Sequence, residues 1–82
     1  MSAMFYVYIL QSLRDDDRHY VGATSDLRDR VSRHNRGDVK HTSKYLPWRL
    51  KTYVAFTDRE RAFAFERYLK TSSGRAFAKK RL

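Results

Sequence analysis

The sequence predicts an α+β domain in which a small three-stranded antiparallel sheet is flanked by helices, in the order ββαβαα. Three observations carry this. Two runs rich in β-branched and aromatic residues, Phe5-Tyr6-Val7-Tyr8-Ile9-Leu10 and His19-Tyr20-Val21-Gly22-Ala23, are separated by a polar turn and read as a hairpin. Residues 26–36 and 58–70 carry apolar side chains at helical spacing between capping signals. Residues 48–56 alternate apolar Trp48, Leu50 and Val54 with charged Arg49 and Lys51, as a third strand should. This order of strands and helices suits a small antiparallel sheet with helices packed against it.

The elements follow in chain order. The first strand is apolar on both faces, which places it centrally in the sheet. Tyr6, Tyr8 and Leu10 share one of its faces, and Tyr20 and Gly22 share one face of the second strand. Residues 12–18, with three consecutive Asp, form the turn between them. Thr24 and Ser25 are N-cap candidates for the first helix, Asp26 suits its first turn, and Gly37 suits its C-terminal stop. Residues 37–46 form a polar loop carrying Lys40, His41, Thr42, Ser43 and Lys44, and Pro47 precedes the third strand. Thr57 and Glu60 have the spacing of a capping box at the start of the second helix. Residues 71–74 break that helix, and residues 75–82 read as a short basic terminal helix.

Bulk properties narrow the function classes. At 82 residues the chain is expected to be one domain spanning residues 1–82. With no Cys, disulfides and thiolate metal sites are excluded. No apolar run approaches the roughly 20 residues that span a bilayer, and residues 4–10 are too short for a signal core. A cytoplasmic protein without membrane association is the expectation; a protein partner is not legible. Lys and Arg number 18 against 9 Asp and Glu, a net charge of +9 that a polyanion would relieve. Residues 67–82 carry six basic side chains and no acidic one. Clustered Arg and Lys point to nucleic acid as partner.

The helices are most informative where their apolar stripes are interrupted. Leu27, Arg30, Val31 and His34 fall on one face of the first helix, and Ala62, Phe65, Glu66 and Leu69 on one face of the second. Ionised side chains on inward stripes are costly unless paired, metal-bound or set in a cleft. The bland account is a buried Arg30–Glu66 salt bridge, with the tyrosines as cross-strand packing. The ordered set says more. Tyr6-Val7-Tyr8, then Tyr20-Val21-Gly22, then Leu27-x-x-Arg30-Val31-x-x-His34, then a helical glutamate, resembles the GIY-YIG nuclease family, and closest its small standalone members. The resemblance extends from Tyr6 to about Lys70. It implies that Tyr8 and Tyr20 are active-site tyrosines, that Arg30 and His34 are catalytic, and that Glu66 binds metal. Two departures stand out. Tyr6 occupies the position of the first motif glycine, and the asparagine that many members carry after the glutamate has no match, with Ser72 or Ser73 in that region.

That resemblance implies phosphodiester hydrolysis, most of all in DNA, with RNA as a second candidate. The reaction needs an activated water and stabilised charge on the phosphoryl oxygens. One carboxylate such as Glu66 suffices for a single Mg²⁺ or Mn²⁺ that keeps most positions for water and phosphate. The other acids sit mostly in turns and at helix starts, so one metal fits better than two. Arg30 offers a fork matched to phosphate oxygens. By resemblance, Tyr8 is the general base or relays the water's proton, with His34 accepting that proton or binding phosphate. Tyr20 orients water or phosphate. Lys40, Lys44, Arg49, Lys70, Arg75, Lys79 and Lys80 are expected to hold the strand. Tyr45 and Trp48 offer stacking surfaces, with core packing the alternative for Trp48. Without added domains, structure- or single-strand-selective cutting with little sequence preference is expected. The alternative is a non-catalytic nucleic-acid-binding module, or an auxiliary DNA-repair protein, that retains the fold.

Overall fold

Two apolar faces on one strand require cover on both sides, and the fold supplies it. The computed structural model describes residues 3–82. It contains β1 (Phe5–Ser12), β2 (His19–Thr24), α1 (Leu27–Asn35), β3 (Trp48–Phe56), α2 (Arg59–Leu69) and α3 (Ser72–Arg81), with a 3₁₀ turn at Ser43–Tyr45. The strands form an antiparallel sheet in the order β2-β1-β3, so the doubly apolar strand is central and β2 is an edge. Val7 and Ile9 of β1 pack with Ala62 and Leu69 of α2, joined by Val21, Phe65 and Ala78. On the opposite face Tyr8 and Leu10 pack with Trp48, joined by Tyr20, Leu27, Val31 and Leu50. The sheet therefore separates α1 and its following loop from α2 and α3. A bulge interrupts the β1–β3 pairing: Ile9 opposes Thr52 and Leu10 opposes Leu50, which leaves Lys51 as the extra residue.

The sequence-predicted order ββαβαα and the sheet are as expected, whereas three helix starts differ. Asp26, not Thr24 or Ser25, caps α1, its carboxylate accepting from the Asp29 amide at 3.1 Å. Thr24 Oγ1 instead accepts from the Asp26 amide at 3.1 Å and so holds the capping residue in place. Asp58, not Thr57, caps α2 by accepting from the Glu60 amide at 2.9 Å, so the expected capping box does not form. In both cases an anionic acceptor one position later wins, because it satisfies free N–H groups and also complements the helix dipole. The expected break at residues 71–74 is confined to Lys70 and Thr71. Thr71 caps α3, accepting from the Gly74 amide at 3.1 Å, and the helix begins at Ser72. Gly74 is helical because α3 crosses the end of α2 so closely that a Cβ would lie 2.6 Å from the Leu69 Cα.

The end of α1 shapes the loop that follows. Gly37 has φ of 79°, its amide donates to the His34 carbonyl at 3.1 Å, and the Asp38 amide donates to the Arg33 carbonyl at 3.1 Å. This glycine-terminated cap reverses the chain. Asn35 then ties α1 to β3, accepting from the Trp48 amide at 2.6 Å and donating to the Trp48 carbonyl at 2.8 Å. The loop between these anchors is thereby folded back over the α1 face of the sheet.

Candidate active site

Tyr8 pairs with Gly22 across β1 and β2, and its ring lies over that glycine: a Cβ there would stand 2.6 Å from the Tyr8 Cζ. A side chain at residue 22 would evict the phenol, so the glycine is required by close approach. The Tyr8 hydroxyl thus reaches the edge strand, where it lies 2.9 Å from His34 Nε2. Tyr20 closes the group, its ring centroid 4.9 Å from that of His34 and 6.3 Å from that of Tyr8. Tyr8 and His34 are each 1% exposed, so their hydrogen bond is shielded from solvent.

The polarity of this bond follows from the far side of the imidazole. Buried Thr42 places Oγ1 2.8 Å from His34 Nδ1 and donates its own proton to the Val39 carbonyl at 3.3 Å. In the tautomer that keeps this proton on Val39, Oγ1 accepts from an Nδ1–H, and Nε2 presents a lone pair to the Tyr8 hydroxyl. The loop itself is held by Trp48, whose Nε1–H donates to the Thr42 carbonyl at 2.8 Å. In the sequence Thr42 is one polar residue of the loop over residues 37–46. Its role depends on the chain reversal at Gly37 and has no local signature.

Burial also sets the charge states of the cluster. It pushes the Tyr8 phenol well above its ordinary value; Tyr20 adds to this, Arg30 opposes it, and Glu66 raises it further. Burial first, and Arg30 second, hold His34 below its ordinary value, which keeps the imidazole neutral. Arg30 lies half-buried one turn before His34 and makes no ion pair among the described residues. The Arg30–Glu66 salt bridge does not form. Glu66 pairs instead with Lys70 on its own helix, Nζ to Oε2 at 3.2 Å, with 19% of the glutamate side chain accessible.

The structure therefore brings Tyr8, Tyr20 and His34 into one cluster and sets the charge of Arg30 on Tyr8 and His34. Among the described residues Glu66 makes no hydrogen bond or ion pair with that cluster. It belongs to α2, on the other side of the sheet, and its charge reaches the Tyr8 hydroxyl through space. As a metal ligand it offers one hard carboxylate, with Oε1 free of protein donors among the described residues. Among the described residues the one acidic group of three, Asp15, Asp16 and Asp17, is exposed on the hairpin turn, where Asp15 pairs with Arg18 at 3.6 Å. A single divalent ion held by Glu66, with water and phosphate as its remaining ligands, fits this donor set. Ser72 and Ser73 are exposed in the first turn of α3, and Tyr6 packs edge-on against Tyr53 at 5.8 Å.

Among the expected strand-binding residues, Lys70, Arg75 and Lys79 line one cavity together with Tyr20. Lys40 and Lys44 lie exposed in the loop before β3, Arg49 hydrogen-bonds Gln11, and Lys80 is exposed on α3. The expected stacking surfaces are not free. Trp48 is 5% exposed in the core, and the Arg18 guanidinium covers the Tyr45 ring at 4.5 Å.

Comparison with known proteins supplies the family. A model of the GIY-YIG catalytic domain matches residues 4–81. The chain is 39% identical over 67 residues to a UPF0213 protein of Lacticaseibacillus paracasei, covering 80% of this chain and 73% of that protein. It is 34% identical over 65 residues to the structure-specific endonuclease subunit SLX1 homolog of Giardia intestinalis, covering 74% of this chain and 18% of that protein. The solution NMR structure of a UPF0213 protein from Bacillus halodurans aligns with a TM-score of 0.56 at 34% identity, over 93% of this chain and 80% of that one. Because the match runs through every strand and helix from β1 to α3, the chain belongs to the GIY-YIG catalytic-domain family.

Proposed function

We propose that this protein is a cytoplasmic endonuclease that hydrolyses phosphodiester bonds in nucleic acid, DNA above all, with one Mg²⁺ or Mn²⁺ held by Glu66. The observation that carries this reading is the buried hydrogen bond between the Tyr8 hydroxyl and His34 Nε2. A neutral imidazole with its lone pair on a phenol proton is arranged to take that proton as Tyr8 accepts one from water. Arg30, permanently charged beside both groups, stabilises the phenolate and the phosphoryl oxygens. Tyr20 orients water or phosphate beside them. The metal, when bound, supplies Lewis-acid polarisation of the phosphate. The likeness to a structure-specific endonuclease subunit supports selection by strand structure rather than by sequence.

One observation favours a non-catalytic nucleic-acid-binding module: Lys70 already occupies one oxygen of Glu66. Labelled single-stranded, duplex, flap and RNA substrates incubated with Mg²⁺, Mn²⁺ or EDTA separate the readings. Catalysis is expected to be lost in EDTA and in Glu66→Ala, with the fold retained. Binding without product from any substrate, at any metal concentration, would leave the binding module as the function.

A further inference from the structure

We propose that the cavity between the hairpin end and α3 is a binding site for an unpaired nucleotide of the substrate strand, next to the bond to be cut. This rests on the nuclease reading for its place in a reaction, but not for the binding itself. The cavity has a volume of 580 Å³, within the roughly 300–1,000 Å³ that small-ligand sites occupy. Its floor is apolar: Ile9 and Val21 from the sheet, Leu69 and Ala78 from the helices. Its rim is cationic, with Lys51, Lys70, Arg75 and Lys79 against the single carboxylate of Asp17. Among the described residues, Lys51, Arg75 and Lys79 have no acidic partner.

An apolar floor inside a ring of four cations, three of them without an acidic partner among the described residues, suits a ligand with a flat, weakly polar body and anionic ends. A nucleobase joined to its two phosphates has that form, and every base has such a face. A base already paired in a duplex cannot enter without being unstacked, so the cavity selects a single-stranded or frayed segment. Three features tie it to the catalytic cluster. Tyr20 lines it directly, from the edge strand that also carries Gly22 against the Tyr8 ring. Lys70 lines it while holding Glu66 at 3.2 Å. Lys51 reaches it because the bulge opposite Ile9 and Leu10 inserts that residue into β3. A strand with one nucleotide seated here lies against Tyr20 and against Lys70, the ion-pair partner of Glu66. By contrast, Lys40 and Lys44 do not line this cavity.

The test measures binding of a short fluorescein-labelled oligothymidylate by anisotropy in EDTA, so that cleavage plays no part. The double variant Arg75→Ala/Lys79→Ala is expected to bind about ten-fold more weakly, with a salt dependence shallower by about 0.7 for each phosphate left without its cation. Lys40→Ala/Lys44→Ala should weaken binding clearly less. Lys51→Gln probes the same cavity from the sheet and serves if the α3 variant misfolds. An abasic strand of equal charge should bind several-fold more weakly than the thymidylate, and oligouridylate in parallel tells RNA from DNA. Wild-type affinity in both cavity variants, a larger loss in the loop variant, or equal binding of abasic or blunt duplex DNA would each overturn the proposal. Binding through this cavity with no cleavage under any condition would leave it standing and sink the nuclease reading. Cleavage that ignores these residues would do the reverse.

Discussion

Tyr8 keeps its proton in the free protein because burial, its neighbour Tyr20 and the Glu66 charge all oppose ionisation, with Arg30 alone against them. The phenol is thus a donor to His34 until the balance of charge around it changes. Tyr8→Phe preserves the ring over Gly22 and removes only the hydroxyl. It should keep the fold at a cost of about 1–3 kcal/mol for the unpaired His34 Nε2, and lose activity by about 10²- to 10⁴-fold, the usual scale of a proton-transfer group. Retention of the wild-type rate in single-turnover assays would exclude the phenol from proton transfer. Thr42 makes a subtler test. Thr42→Val keeps the shape and strips the acceptor from His34 Nδ1–H, 2.8 Å away, at a cost of about 1–3 kcal/mol in stability for an unsatisfied buried donor. The imidazole can then relieve itself by moving its proton to Nε2 and donating to Tyr8, which reverses the hydrogen bond. ¹⁵N chemical shifts of the His34 ring report that tautomer directly. Unchanged shifts in the valine variant would remove Thr42 as the orienting group. The hairpin tyrosines and the shared helix face of Arg30 and His34 are legible because those spacings are local, whereas their grouping as one site comes from the resemblance to the GIY-YIG family. Thr42 is not legible, since it meets His34 only after the chain has reversed at Gly37.

Strands and helix stripes were legible for the same reason: period-two and helical repeats depend on near neighbours. The central placement of β1 followed from its two apolar faces, and its observed partners on both sides agree. Helix starts were harder, because several capping residues stand side by side in Thr24-Ser25-Asp26 and Thr57-Asp58, and local rules rank them almost equally. Competition for the first free amides decides, and the aspartates take them. Asp26→Ala and Asp58→Ala should each lower stability by about 1 kcal/mol, read as a reduced urea midpoint, whereas Ser25→Ala should change it by a few tenths at most. Equal losses at Ser25 and Asp26 would mean that the cap is shared. The start of α3 was misread because Gly74 looks like a helix breaker in sequence. Its reason for being glycine is the backbone of α2 beneath it, a tertiary fact. Gly74→Ala should therefore destabilise the protein although alanine is the better helix former, through displacement of α3 and of the cavity wall at Ala78.

A sheet that separates two half-cores keeps one titrating pair, Tyr8 and His34, buried on its α1 side, and this couples the whole fold to pH. His34 binds its proton more weakly folded than unfolded, so the unfolded chain takes up more protons as pH falls below the ordinary imidazole value of 6.5, and stability drops there. Tyr8 holds its proton more tightly folded than unfolded, so stability is full below the ordinary phenol value of 10.0 and declines as pH rises past it. The groups facing His34 sharpen the acid side. Arg30 is permanently charged, and Tyr8, held protonated by burial, offers no anion to balance an imidazolium. On a chain of net charge +9, each added proton also increases self-repulsion, which salt screens at the surface but not in the buried cluster. Thermal melts followed by circular dichroism should therefore show a plateau between these two pH values with a decline on each side. Added salt should raise the whole curve while leaving the onset of the acid limb in place. His34→Gln, which retains polar contacts but does not titrate, should have a lower plateau and lose the decline that begins just below 6.5, until carboxylate protonation takes over. An acid limb of unchanged onset and depth in that variant would assign it to other groups and break the link between the buried imidazole and global stability.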